Sequence, residues 1–194
     1  MSKIYIDLGA HVGRTVAAAL ARDFDEVYAF EPNPAALAHS HWERVINDPR
    51  LTIVDSAAWI KDGYMPMYRE PRIHYECYGD SQGATLVAGK TSGGISYTDG
   101  SIEISTIDFP EWINSHTTNG DRVTVKMDIE GAEYIVLPAC IEQKALESVS
   151  HFYIEFHRDK LEFETGCYRR AQQIENNFRH YCQINDINLE EATH

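Results

Sequence analysis

Residues 4–17 read I-Y-I-D-L-G-A-H-V-G-R-T-V-A, and within them the pattern changes from strand to helix. The residues before Gly9 are mostly apolar or β-forming, and those after Gly13 have helical character. In the turn between the two glycines, His11 is the bulkiest side chain. Glycine permits positive φ and close backbone approach, and the first turn of a helix leaves N–H groups free for a ligand. The segment therefore predicts a strand, a tight turn and a helix that bind a nucleotide-like molecule.

Two acidic residues favour a nucleoside as the ligand. Asp7 lies near the end of the first predicted strand, and Glu31 follows the next apolar run, residues 27–30. Glu31 comes 22 positions after Gly9 (31 − 9). A carboxylate roughly 20 residues beyond such a turn binds the ribose hydroxyls in dinucleotide-type βαβ units. Two glycines in a turn are a weak signal alone, but the acid at this spacing predicts a nucleoside ligand.

The glycine pattern also indicates which nucleoside is bound. A dinucleotide fingerprint has the form G-x-G-x-x-G, so that the backbone contacts a pyrophosphate at the second glycine. Here His11 and Arg14 occupy the second and third glycine positions. A ligand without a pyrophosphate tolerates this pattern. S-adenosylmethionine, which has an adenosine and a cationic sulfonium but no phosphate, is such a ligand.

Four stretches give the sequence a family resemblance: D-L-G-A-H-V-G (7–13), F-E-P-N-P (30–34), S-T-I-D-F (105–109) and V-K-M-D-I-E-G-A-E (125–133). On these motifs the chain resembles the FkbM-type S-adenosylmethionine-dependent methyltransferases, from Ile4 to about Phe156. The resemblance implies a class I methyltransferase (Rossmann-like) α/β fold, a three-layer sandwich with a mostly parallel sheet. It also implies S-adenosylmethionine as the cofactor and O-methylation as the reaction. Members often carry additional N-terminal sequence before the first motif.

The length of the chain indicates one domain over residues 1–194, and the resemblance implies that it is a methyltransferase domain. The apolar fraction is 43%, and no apolar run reaches the length needed to span a bilayer. Residues 1–5 lack the segments of a signal peptide, so we expect a cytoplasmic protein without a membrane partner. Four cysteines without any C-x-x-C pairing predict reduced structural thiols rather than a metal site. They are Cys77, Cys140, Cys167 and Cys182.

The net charge of −13 argues against a nucleic-acid partner. Neutralising phosphates requires clustered Lys and Arg, and Arg169 and Arg170 form only a local pair. A neutral or cationic acceptor fits the charge better. The resemblance implies a hydroxyl acceptor on a sugar, a glycan or another small-molecule scaffold. The sequence carries no signal for the oligomeric state.

Apolar runs and helical periodicity predict the remaining elements. Strands are predicted at 27–30, 51–54, 123–127, 152–156 and 181–187, and helices at 15–22, 35–46, 110–115, 131–140 and 168–179. An extended segment is predicted at 59–69, and the polar residues 189–194 are expected to fray. Residues 79–100 hold six of the twelve glycines. They predict a loop or long hairpin that either covers the active site or faces solvent.

The candidate catalytic residues follow two of the predicted strands. Asp128 and Glu130 come after the strand at 123–127, and Glu155 and His157 lie on one face at the end of the next strand. Open α/β sheets bind ligands outside the carboxyl ends of their strands, so these side chains are expected to gather there. The positive end of a helix dipole also stabilises carboxylates, which explains Glu133 but not the pair of Asp128 and Glu130.

Two mechanisms are compatible with these residues, because O-methylation requires the proton of the acceptor hydroxyl to leave. In the preferred, metal-free mechanism, His157 or Asp128 takes the proton, and the ordinary pKa of histidine suits this role. In the other, Asp128, Glu130 and Glu155 hold a divalent ion such as Mg²⁺. The same residues could instead only position sugar hydroxyls.

The predicted cofactor-binding residues are Asp7, Gly9, His11, Gly13, Glu31, Pro32, Asn33, Ser56, Ala57 and Asp128. Ser56 and Ala57 are included by resemblance, since small residues after the strand at 51–54 let an adenine ring lie flat. Two other functions remain open. An NAD-type dinucleotide-binding oxidoreductase would share the βαβ unit and Glu31, although His11 argues against it. The other is a catalytically inactive methyltransferase-like binding module, or one that needs a partner to supply a lid.

Overall fold

The computed structural model of the protein describes residues 1–68, 83–88, 91–92, 95–96, 101–160 and 165–192. In chain order the strands are β1 (Lys3–Leu8), β2 (Glu26–Phe30), β3 (Leu51–Val54), β4 (Ala57–Trp59), β5 (Gly63–Met67), β6 (Thr91–Ser92), β7 (Ile95–Ser96), β8 (Ile102–Asp108), β9 (Arg122–Met127), β10 (Val149–Ile154) and β11 (Asn188–Glu191). The α-helices are α1 (Arg14–Leu20), α2 (Pro34–Leu37), α3 (Phe109–His116), α4 (Glu133–Glu142) and α5 (Thr165–Ile184). Ser40–Arg44 and Arg158–Lys160 form short 3₁₀ helices.

The main sheet of the described residues has six strands in the order β11-β10-β9-β1-β2-β3. Every neighbouring pair is parallel. From β1 the chain builds outwards through β2 and β3 on one side and through β9, β10 and β11 on the other. The reversal leaves a crevice at the carboxyl ends of β1 and β9, where open α/β sheets bind ligands. Dinucleotide-binding domains share this strand order, so the order alone does not separate the two cofactor classes.

Helices cover both faces of this sheet and give it three layers. On one face, Tyr5 of β1 and Val27 of β2 pack with Val16 of α1. On the other face, apolar residues of β1, β9 and β10 pack with α3, α4 and α5 in the larger core. Strands buried on both faces appear in sequence as continuous apolar runs, which is why β1, β2 and β9 were predictable. The predicted α/β three-layer fold with a mostly parallel sheet is confirmed.

A second sheet of three strands completes the larger core. It has the order β4-β8-β5, in which β4 is parallel and β5 antiparallel to β8. The extended segment predicted at 59–69 therefore contains the end of β4 and all of β5. Asp108, at the end of β8, caps α3 by accepting a hydrogen bond from the backbone N–H of Glu111. Ala57, Ala58 and Met67 of this sheet are buried and face the crevice.

The glycine-rich segment at 79–100 lies partly outside the described residues. Of its described part, β6 and β7 form a short antiparallel pair, and Thr85 pairs with Tyr68 in an isolated bridge. The Thr85 hydroxyl donates to the backbone carbonyl of Glu130 at 2.7 Å. This contact places residues 83–88 beside the crevice. Whether the remainder of the segment covers the site stays a prediction.

The helix predicted at 35–46 is wrong as a single helix. α2 ends at Leu37, His39 is extended with φ −73° and ψ 140°, and a 3₁₀ helix follows. The break turns Trp42 inwards, where it is 2% exposed. Its indole N–H lies 3.2 Å from the carbonyl oxygen of His11 and 3.1 Å from that of Ala36. Burying this large ring under the glycine turn outweighs the local preference for a continuous helix.

The strand predicted at 181–187 is also wrong. α5 continues to Ile184, because Phe178 and Cys182 are buried at helical spacing against the core. The last strand, β11, follows it and pairs in parallel with β10, although these residues were expected to fray. Arg179 of α5 holds this strand by hydrogen bonds of 2.7 and 2.8 Å to the two carboxylate oxygens of Glu191.

Two of the four cysteines have side chains that the structure describes. Cys140 and Cys182 are free and buried, and burial raises the pKa of both thiols. The side chains of Cys77 and Cys167 lie outside the described residues. None of the helices in the described part of the chain has the length and apolar character needed to cross a membrane.

Candidate functional site

A cleft of about 470 Å³ opens at the carboxyl ends of β1, β2 and β9. Its walls come from the turn after β1, the residues after β2, strand β4, residues 83–86 and the loop after β9. This is the crevice produced by the reversal of strand order. Of the predicted site residues, those that line it are Gly9, His11, Glu31, Pro32, Asn33, Ala57, Asp128, Glu130 and Glu155.

The glycine turn is shaped by contacts with the protein itself. Gly9 and Gly13 have φ of 84° and 79°, a region that favours glycine. A Cβ atom at Gly9 would lie 2.0 Å from the backbone carbonyl oxygen of Asp128. A Cβ atom at Gly13, which does not line the cleft, would lie 3.0 Å from Cδ2 of Trp42. The first glycine therefore brings the turn against the loop after β9, and the second makes room for the tryptophan ring.

Glu31 lines the cleft and is fixed by two backbone groups. Its side chain accepts hydrogen bonds from the N–H of His11 at 2.7 Å and of Asn33 at 2.8 Å. Burial raises the pKa of this carboxyl group to about 7, although both hydrogen bonds and the charge of Lys126 lower it. A carboxylate has about four lone-pair sites, so two backbone donors leave capacity for further hydroxyl groups. The arrangement suits recognition of a diol such as a ribose.

Asp7 lies beneath the turn rather than in the cleft. It is fully buried, accepts a hydrogen bond from the Thr15 hydroxyl, and has Oδ1 3.2 Å from Nζ of Lys126. The ammonium also lies 3.3 Å from Oδ2 of Asp128 and donates to the Gly9 carbonyl at 2.9 Å. Burial alone would lower the pKa of Lys126, but the charges of Asp7 and Asp128 raise it. Lys126 is therefore charged and ties the turn to β9.

Three carboxylates, Asp128, Glu130 and Glu155, also line the cleft, and we call them the carboxylate edge. They follow β9 and β10, which lie on the opposite side of β1 from β2 and Glu31. Their side chains are 16–30% exposed. Nε2 of His157 lies 3.7 Å from Oδ1 of Asp128, 3.4 Å from Oε2 of Glu130 and 3.5 Å from Oε1 of Glu155. The structure thus gathers all four predicted catalytic residues in one cluster.

His157 lies behind this edge, because it is fully buried and does not line the cleft. Its ring Nδ1 and its backbone N–H lie 3.0 and 2.9 Å from Oε1 of Glu133. Burial alone would lower the pKa of the imidazole, but the hydrogen bond and charge of Glu133 and the charge of Glu130 raise it. A general base must be within hydrogen-bond reach of the acceptor. In this structure the carboxylates lie between the ring and the cleft, so the role of His157 as the direct base stays a prediction.

Two residues of the site were missed by sequence reasoning. Glu133 is fully buried, and besides holding His157 it accepts the Gly131 N–H at 2.9 Å. Its place at a helix start gave no sign of this role, which depends on how α4 packs against the residues after β10. Lys126 did carry a signal, because it is a lone charge in the apolar strand V-T-V-K-M. A lysine in a strand buried on both faces requires a nearby carboxylate.

The residues predicted for the adenine ring differ in their placement. Ala57 lines the cleft beside Ala58, Met67 and Leu86. Ser56 does not line it, because its hydroxyl lies 2.6 Å from Oγ of Ser105. The apolar wall therefore comes from β4, β5 and the described residues before β6.

The comparisons with known proteins gave one match. A family model described as the Methyltransferase FkbM domain matches residues 7–185 of the 194-residue chain. This range includes the glycine turn, Glu31, the carboxylate edge and all of α5. Searches of the curated proteins and of the solved structures found no match.

Proposed function

Because the chain belongs to the FkbM methyltransferase family, we propose that it transfers the methyl group of S-adenosylmethionine to a hydroxyl of a small-molecule acceptor. Membership of this family supports methyl transfer as the reaction. The cofactor, the oxygen acceptor and its location on a sugar, a glycan or a similar scaffold are our proposal. We further propose that the protein acts in the cytoplasm, without nucleic acid or membrane as a partner.

The observation that carries the proposal is that one cleft is lined by Glu31 on one side of β1 and by the carboxylate edge on the other side. Glu31 would accept hydrogen bonds from the ribose hydroxyls, and the apolar wall around Ala57 would contact the adenine ring. The sulfonium would then point toward Asp128, whose negative charge is complementary to it. This order along the cleft fits a nucleoside with a cationic, reactive end.

The reaction is an in-line displacement, so the protein must chiefly align the acceptor oxygen, the methyl carbon and the sulfur. The O–CH₃ bond forms as the CH₃–S bond breaks, which leaves S-adenosylhomocysteine. The hydroxyl proton passes to a group at the carboxylate edge, where Asp128, Glu130 and Glu155 are accessible from the cleft. His157 and Glu133 hold that edge from behind.

Replacing Glu31 by Ala is expected to weaken S-adenosylmethionine binding roughly 10- to 150-fold. Hydrogen bonds to a charged acceptor contribute about 1.5–3 kcal/mol, and every 1.4 kcal/mol is about a tenfold change in affinity. Calorimetric titration measures the change. Glu26→Ala is the matched control, because Glu26 begins the same strand and contacts Tyr28 rather than the cleft. Equal affinities of the wild type and Glu31→Ala would remove Glu31 from the cofactor site.

The cofactor affinity is also expected to depend on pH through Glu31. The pKa of this group is about 7 in the free protein, raised by burial from 4.5. The folded protein therefore holds the proton more tightly than the unfolded chain, so this group's contribution to stability falls as pH rises from about 4.5 through about 7. The ionised form is the better acceptor for ribose hydroxyls, so affinity should increase between about pH 6 and pH 8.

The matched variant for this pH dependence is Glu31→Gln, which cannot ionise. Titrations across the same pH range should give a nearly constant, weaker affinity for the variant. A pH dependence that is identical in the wild type and Glu31→Gln would assign it to another group. Both proteins are compared by circular dichroism at each pH, so that loss of fold is not read as loss of binding.

Ligand identity separates this proposal from the two other functions. Purified protein is extracted and the extract is tested for S-adenosylhomocysteine and for dinucleotides, and both classes are then titrated into stripped protein. Binding of the nucleoside followed by transfer of labelled methyl to sugars or small alcohols supports the proposal. Binding of a dinucleotide alone would favour an oxidoreductase, and nucleoside binding without transfer to any acceptor would favour a binding module.

A further inference from the structure

We propose that Asp128, Glu130 and His157 form a binding site for one divalent cation at the edge of the cleft. One carboxylate oxygen of each acid and a ring nitrogen of His157 all lie within 4.8 Å of one another. Nε2 of the histidine is 3.4 and 3.7 Å from the two carboxylate oxygens. Neighbouring ligands of an ion bound at about 2.0–2.2 Å lie roughly 3–3.6 Å apart, so the two distances to the histidine are close to this range.

The imidazole is oriented as a metal-ligating histidine is. Its Nδ1 lies 3.0 Å from Oε1 of the fully buried Glu133. A carboxylate accepts a hydrogen bond, so Nδ1 carries a proton and Nε2 points toward Asp128 and Glu130. Metal-bound histidines usually donate their second N–H to a carboxylate in this way, which fixes the tautomer and raises the basicity of the ligand.

Charge gives an independent argument for a cation. The contact network around His157 contains five carboxylates: Asp7, Asp128, Glu130, Glu133 and Glu155. The cations in these contacts are Lys126, Lys160 and the imidazole when it is protonated. Carboxylates therefore outnumber cations in these contacts among the described residues. Such an electrostatic environment attracts a divalent ion.

The donor set indicates the kind of ion. Carboxylate oxygens suit hard cations such as Mg²⁺ and Mn²⁺, and an imidazole nitrogen favours transition metals. Mn²⁺ accepts both donor types and is therefore the probe of choice. Three protein ligands leave coordination positions on the cleft side, where the two carboxylates are exposed.

The role of the ion in catalysis rests on the proposed function, whereas its binding does not. An acceptor hydroxyl bound to the ion would lose its proton more readily, because the cation stabilises the alkoxide. Glu155 lines the cleft beside the site and is placed to receive that proton. The alkoxide oxygen then attacks the methyl carbon as the bond to sulfur breaks, and the charge of the ion does not change.

The test is a titration of the EDTA-treated protein with Mn²⁺, in which electron paramagnetic resonance measures the free ion. We expect saturable binding of one ion. Asp128→Asn and Glu130→Gln should each weaken it at least about tenfold, and Glu133→Gln, a positioning change, about 10- to 100-fold. Asp55→Asn is the matched control, because Asp55 is exposed at the end of β3 and does not line the cleft. Its Mn²⁺ affinity should equal that of the wild type.

Absence of saturable binding up to millimolar Mn²⁺ would overturn the proposal, and so would equal affinity in Asp128→Asn and the wild type. Circular dichroism of each variant separates loss of the site from loss of the fold. S-adenosylmethionine is titrated into the same EDTA-treated protein. Cofactor binding without Mn²⁺ binding would refute the metal site and leave the proposed function in place. Mn²⁺ binding without cofactor binding would support the metal site and refute the proposed function.

Discussion

Asp128→Asn is expected to reduce the turnover of methyl transfer by roughly 10²–10⁴-fold, the range of general-base contributions. The change keeps the size of the side chain and removes its charge. Asp128 is the member of the carboxylate edge that contacts both Lys126 and His157 and lines the cleft. Whether it takes the proton itself or holds a cation that acidifies the acceptor, its charge is needed in the transition state. The affinity for S-adenosylmethionine should change much less, because Glu31 lines the cleft on the other side of β1.

Turnover is measured with labelled cofactor and affinity by calorimetry on the same preparations. Asp55→Asn again provides the control, since it removes the same charge at the end of another strand outside the cleft. Turnover of Asp128→Asn equal to that of the wild type would remove the carboxylate edge from catalysis. A loss confined to cofactor affinity would instead assign Asp128 to binding.

Gly9→Ala is expected to lower the free energy of unfolding by about 2–5 kcal/mol. A non-glycine residue in the left-handed region costs about 1–2 kcal/mol, and overpacking costs about 1–3 kcal/mol more. Gly9 has φ 84°, and its Cβ would lie 2.0 Å from the carbonyl oxygen of Asp128. That oxygen belongs to the backbone, so no side chain can move aside. Strand β1 and the loop after β9 would have to separate.

Chemical denaturation followed by circular dichroism measures this loss. Gly120→Ala is the matched control, because its Cβ would meet only Oγ1 of Thr118 at 3.8 Å. It should change stability by less than about 0.5 kcal/mol, as surface substitutions usually do. Unchanged stability of Gly9→Ala together with lost cofactor binding would mean that the glycine serves the ligand alone.

The elements that the sequence predicts best are those defined by local pattern. β1, β2 and β9 are continuous apolar runs that end in turn signals, so their burial on both faces is visible in the sequence. The spacing from Gly9 to Glu31 is likewise local, because it follows from the length of one strand, one helix and the next strand. Both residues line the cleft.

The features that were missed depend on packing between distant segments. The fold of the chain after Leu37 is decided by Trp42, whose ring fills the space under Gly13. The burial of His157 is decided by Glu133 of α4, 24 positions earlier in the sequence. The sequence placed His157 at the carboxyl end of its strand but could not show that the ring would lie behind the carboxylates.

β11 was missed for a related reason. Its residues, N-L-E-E, are polar apart from Leu189 and give no strand pattern. They form a strand because β10 offers an edge for parallel pairing and Arg179 binds Glu191. Such pairing is a property of the assembled sheet rather than of the segment.

Calorimetric titration of S-adenosylmethionine into the wild type and Glu31→Ala tests the central claim most directly. That claim is that the cleft binds this nucleoside through Glu31 and positions its methyl group for transfer to an acceptor hydroxyl beside the carboxylate edge. We predict saturable binding of one cofactor by the wild type, weakened roughly 10- to 150-fold by the substitution. No binding of S-adenosylmethionine by the folded wild type, or equal binding by both proteins, would contradict it.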